Sequence, residues 1–128
     1  MASSDPLVKL GFRPAPRQFQ PRATIVVDLD RSPEEILAGF GSQVRYNVRL
    51  AERKGVEIEE GGLPEVESFW TLYAVTAGRK GFEWRAQSYF TQLVEQFGAS
   101  ARVFLARRGG EALAGAIVVA FGSSASYV

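Results

Sequence analysis

The sequence predicts an α+β domain in which helices cover a mostly antiparallel sheet. Three observations lead there. From residue 56 onward the pattern runs strand, two helices, then a meander of short strands. Glycines punctuate it at the expected joints: Gly55, Gly61-Gly62, Gly81, Gly98 and Gly109-Gly110. The apolar residues Val66, Phe69, Trp70, Tyr73 and Ala77 fall on one face at helical spacing.

Each element has its own signal. Residues 10–21 carry Pro14, Pro16, Pro21 and Gly11 and are expected to form an irregular, extended lead-in. Residues 23–29 (ATIVVDL) form a β-branched run, expected as a buried strand. Ser32-Pro33-Glu34-Glu35 is a helix start, with Ser32 able to cap and Glu35 able to close a capping box. Gly39 and Gly41 keep that helix short. A second helix is expected over 43–54, stopped by Gly55. Residues 56–60 alternate apolar and acidic side chains, as a strand with one wet face does. Pro64 opens the next helix, with Arg79 and Lys80 in its last turn where cations favour the dipole. Another helix is expected over 86–97. Strands over 102–107 and 113–121 flank a Gly109-Gly110 hairpin turn, and Gly122-Ser123-Ser124 turns the chain towards a third strand at Tyr127-Val128. So short a last strand would leave an apolar edge open, an invitation to self-association, and the domain is expected to be incomplete.

Composition narrows the chemistry. The 128 residues suit one domain, and 46% hydrophobic with 23% charged residues is ordinary for a globular chain. Fifteen basic against 14 acidic residues argue against a protein that coats nucleic acid through global charge. Without cysteine or histidine there is no disulfide framework, no Cys–His or Ser–His nucleophile, and little prospect of a metal site. Proton transfer would fall to a carboxylate, Lys, Tyr or the substrate. The first five residues lack the features of a secretory signal. The apolar run 112–121 falls far short of the roughly 20 residues a membrane span needs. A soluble, cytoplasmic protein is the expectation.

Three stretches resemble the Fem family of non-ribosomal aminoacyltransferases, which build peptidoglycan cross-bridges. They are RYNVRLAERKGV at 45–56, TAGRKGFEWRAQSY at 76–89, and the apolar hairpin from 102 to 128. The resemblance implies a GNAT-like fold: residues 1–31 as lead-in and strand from a preceding lobe, 32–55 as a helical connector, and 56–128 as the first part of a GNAT-like lobe. Family members are two to three times longer, so activity of this stretch alone is not expected. The implied reaction, part of cell-wall biogenesis and cell shape, moves an amino acid from aminoacyl-tRNA, with no cofactor, to an amine on a peptidoglycan precursor. That precursor is UDP-linked or lipid-linked. Two rivals stand beside it. One is an acetyl-CoA-dependent N-acetyltransferase on the same fold, whose Gly-rich loop would follow Val128. The other is a non-catalytic segment that binds an anion or self-associates.

Candidate residues follow. Arg85 and Tyr89 share a face at i,i+4. A cation at a helix start opposes the dipole, yet beside free N–H groups it strengthens an anion site. The resemblance implies that this pair holds the acceptor's phosphates; the plain alternative is a solvated Arg beside a core Tyr. Arg45, Arg49 and Arg53 form a basic stripe, and Arg49 and Arg53 are candidates for polyanion contact, although a solvated face partnered by Glu52 is the commoner arrangement. Tyr127 stands where the family places a substrate-side Tyr, and would otherwise be an edge-strand aromatic. Trp70, Tyr73 and Trp84 read as core, with Trp84 the best placed to line a cleft. No residue is assigned to catalysis.

Overall fold

The computed structural model describes residues 6–13, 16 and 23–128. The chain divides into two units, Met1–Phe40 and Gly41–Val128. In the first unit a single helical turn, α1 (Pro6–Lys9), interrupts what the sequence suggested would be extended. Pro6 occupies the first helical position, where its missing N–H costs nothing, and the Leu10 N–H bonds back to the Pro6 carbonyl at 3.3 Å. Most of the proline-rich lead-in and the first five residues lie outside the described residues.

Residues 23–29 form no strand. Ile25 is 90% and Val26 87% exposed. A β-branched run needs a paired ladder and a buried face, and among the described residues it has neither. Helix α2 (Pro33–Gly39) follows as expected, with the capping box closed: the Glu35 N–H donates to the Ser32 hydroxyl and the Ser32 N–H to the Glu35 carboxylate.

The second unit opens with helix α3 (Ser42–Arg53). It ends in a Schellman motif, in which Gly55, at φ 73°, donates to the Glu52 carbonyl and Val56 to that of Ala51. Strand β1 (Glu57–Gly61), a 3-10 turn, helices α4 (Val66–Lys80) and α5 (Gln87–Phe97), and strands β2 (Ala101–Arg108), β3 (Glu111–Phe121) and β4 (Ser124–Tyr127) complete the chain. The four strands pair antiparallel in chain order. The unit is therefore α+β, with a wholly antiparallel sheet.

Alternation along β2 decides where the core sits. Ala101, Val103 and Leu105 are buried and meet Val66, Phe69, Phe90 and Val94 from the two helices, with Ile117 opposite Val103 on β3. Gly115, opposite Leu105, is needed for this fit. A Cβ there would stand 3.1 Å from side-chain carbons of both Leu105 and Phe69, so its absence lets α4 approach β3. The β2–β3 hairpin turns through Gly109 and Gly110, both at positive φ, the backbone of a type I′ turn. Between Ala106 and Arg107 the register slips, leaving Leu113 as the extra residue of a bulge. Strand β4 starts at Ser124, three residues before the Tyr127 start expected from the sequence, and pairs with 118–121.

Candidate functional site

The site is built around the loop between α4 and α5. Gly81, in the left-handed conformation at φ 70°, ends α4 and donates its N–H to the Ala77 carbonyl. The loop then folds back onto α4 through aromatic contacts. Phe82 meets the Tyr73 ring edge-on at 5.8 Å, and Trp84 stacks on Trp70 at 5.5 Å. Two hydrogen bonds fix Arg85 itself. Its N–H donates to the Tyr73 hydroxyl at 3.3 Å, and its carbonyl accepts from the Trp70 indole at 3.1 Å. Trp70 and Tyr73, three apart on α4, thus hold the residue just before the α5 cap by its carbonyl and its N–H respectively.

With its backbone held, the Arg85 side chain lies over Tyr89, its guanidinium carbon 4.4 Å from the ring centroid. Tyr89 meets Phe90 edge-on, and Phe90 is part of the core. The cation is therefore seated on a ring that the core holds in place. Ala86, at the α5 cap, provides no side-chain acceptor, so the first N–H groups of that helix are not capped by its own side chain.

Arg85 and Tyr89 line a groove of ≈ 810 Å³. Helix α4 contributes Leu72, Val75, Thr76 and Arg79 to it, and the sheet contributes Leu113, Gly115 and Val128. No Asp or Glu lines it, and Arg79 and Arg85 are its charged side chains. The bulge residue Leu113 supplies apolar surface.

Of the remaining sequence candidates, Tyr127 borders the groove but pairs with Val118. Residues opposite each other share a face, and Val118 alternates with buried Ile117, so the register turns the Tyr127 side chain away from the helices. Val128, one residue on, bonds to Ile117 and faces the groove side. Trp84 does not line the groove; its ring is spent on Trp70. Arg49 and Arg53 line a separate, shallower cleft on α3 with Arg45, Tyr46 and Glu52, apart from Arg85 and Tyr89.

Sequence reading missed Arg79, taken only as a helix-end cation. The available signal was a second stripe on α4, Leu72-Val75-Thr76-Arg79, whose apolar members are left over once the core face is assigned. Among the described residues no group of three or more His, Cys, Asp or Glu side chains could hold a metal ion, and no helix is long and apolar enough to cross a membrane.

Comparison with known proteins agrees with the sequence resemblance. The model of the FemAB family matches residues 11–109. A lipid II:glycine glycyltransferase of Staphylococcus haemolyticus is 34% identical over 77 residues, covering 60% of this chain and 18% of that protein. One from Staphylococcus aureus is 32% identical over 77 residues, with the same coverage. The matched segment is thus under a fifth of the length of these relatives.

Proposed function

Since this chain belongs to the FemAB family, we propose that its groove binds the acceptor in a cross-bridge aminoacyl transfer, holding a peptidoglycan precursor by its phosphates. The carrying observation is the Arg85 guanidinium, seated over Tyr89 in a groove that no Asp or Glu lines. A guanidinium matches phosphate oxygens with parallel N–H donors. The start of α5, which no cap side chain neutralises, carries the positive end of the helix dipole close to Arg85 in the chain. The relatives are named for lipid II, which favours the lipid-linked precursor over the UDP-linked form.

The donor in this reading is an aminoacyl-tRNA. The acceptor amine attacks the ester carbonyl, a C–N bond forms and the ester C–O bond breaks. The amine's proton ends on the departing ribose hydroxyl. Reactants held in contact gain roughly 7–11 kcal/mol from positioning in favourable cases, so the groove's contribution is to anchor the acceptor. Residues 56–128 belong, in the same proposal, to a GNAT-like lobe working in the cytoplasm, consistent with strand β1, two helices and the β2–β4 meander in that order.

The test is precursor binding by Arg85→Ala, followed by transfer of labelled glycine from glycyl-tRNA in the protein at its full natural length. Loss of one charge-assisted contact predicts about tenfold weaker precursor binding. Unchanged affinity in a folded variant rules the assignment out.

A further inference from the structure

We infer that Arg79 is a second anion-binding residue of this groove and that, together with Arg85, it selects a diphosphate over a single phosphate. The inference rests on the reading of the groove given above and adds a residue to it. Arg79 approaches from the last turn of α4 and Arg85 from the residue before the α5 cap, so the two cations enter one groove from opposite ends of one loop.

The arginines of this chain differ in how they are partnered. Arg31 pairs with Asp28, Arg102 with Glu60 and Arg107 with Glu59. Among the described residues, Arg79 and Arg85, like Arg49, Arg53 and Arg108, have no carboxylate partner; what sets the first two apart is that they line one groove with no Asp or Glu in its lining. Two such guanidinium groups are matched by a ligand that brings adjacent negative charges. A single phosphate offers one anionic group; a diphosphate offers one to each guanidinium.

A cation in the last turn of a helix also offsets the dipole. Lys80, in the same turn, does that equally well and does not line the groove. The dipole role acts on helix stability, whereas the groove role acts on ligand choice. The apolar groove residues Leu72, Val75 and Leu113 lie alongside the cations, and a diphosphate carrying a prenyl chain would use them. One carrying a nucleoside would leave them uncovered.

Isothermal titration of this chain with UMP against UDP, and with farnesyl monophosphate against farnesyl diphosphate, separates these cases. The expected result is that each diphosphate binds about five- to tenfold tighter than its monophosphate, the low end of a charge-assisted contact in an open groove. Arg79→Gln should bring the two members of each pair level while keeping monophosphate binding, and Arg79→Lys should fall between. A diphosphate preference unchanged in Arg79→Gln overturns the inference. Arg85→Gln should weaken all four ligands; if it weakens none, the reading of the groove itself fails, a result distinct from failure at Arg79. The tighter pair identifies whether the diphosphate is lipid-borne or nucleotide-borne. Thermal melting confirms that each variant is folded, and a shifted melting temperature with unchanged ligand preference assigns Arg79 to the dipole alone and overturns the proposal.

Discussion

The Arg85 backbone is held in place by other side chains. Trp70 and Tyr73 each supply one hydrogen bond to it, and neither touches the guanidinium through any contact seen here. They are positioning residues, and their effect should be separable from that of the charge. Tyr73→Phe keeps the ring contacts with Phe69, Phe82 and Phe90 but removes the acceptor for the Arg85 N–H. A loss of about 0.5–1.5 kcal/mol is expected from such a bond. It should be visible as faster amide exchange at Arg85 and several-fold weaker precursor binding, with a nearly unchanged melting temperature. Tyr89 offers a sharper contrast. Tyr89→Phe retains the face under the guanidinium, whereas Tyr89→Ala removes about 0.5–1 kcal/mol of cation–π attraction. Precursor titration should therefore rank wild type and Phe together, with Ala about two- to fivefold below.

At the scale of elements, the contact between α4 and β3 depends on one missing side chain. Gly115→Val would place methyl groups against Leu105 and Phe69, both core residues already in contact. Overpacking of this kind costs about 1–3 kcal/mol, measured as a lower denaturation midpoint. Because Gly115 also lines the groove, ligand binding should fall more than stability does. The hairpin and helix ends were easier to read from sequence. Gly109-Gly110 predicts a type I′ turn by itself, since both positions need φ > 0, and Ser32 with Glu35 predicts a cap. Ser32→Ala should cost about 1 kcal/mol of local helix stability, seen as faster amide exchange over 35–39. The 23–29 run was the element misread, because β propensity describes a fit to a paired, half-buried surface and says nothing about whether a partner is present.

At the scale of the molecule, every buried apolar residue among the described residues lies between Val66 and Ile117. Stability should therefore reside in the second unit. Residues 41–128 alone are expected to unfold cooperatively at nearly the midpoint of the whole chain, in a denaturant titration followed by tryptophan fluorescence. Leu105→Ala, at a fully buried position in the centre of β2, should cost about 2–5 kcal/mol in the same experiment. A midpoint that drops steeply on removing 1–40 would place part of the core elsewhere.

Sequence alone determined the order of elements from α2 onward, the turns between them and the likeness to FemAB proteins, whereas Arg85 precedes α5 and reaches Tyr89 because Trp70 and Tyr73 hold its backbone. The first three rest on interactions within a few residues, where periodicity, caps and glycine conformations act directly. Tertiary structure decided that Arg79 joins Arg85, that Leu113 bulges into the groove, and that Tyr127 turns to the other face of the sheet. Each depends on where α4 settles on β3 or on a register between strands. Those are set by packing between distant parts of the chain, Phe69 against Gly115 above all; the α4 stripe hinted at Arg79, but no local pattern encodes the bulge or the β3–β4 register.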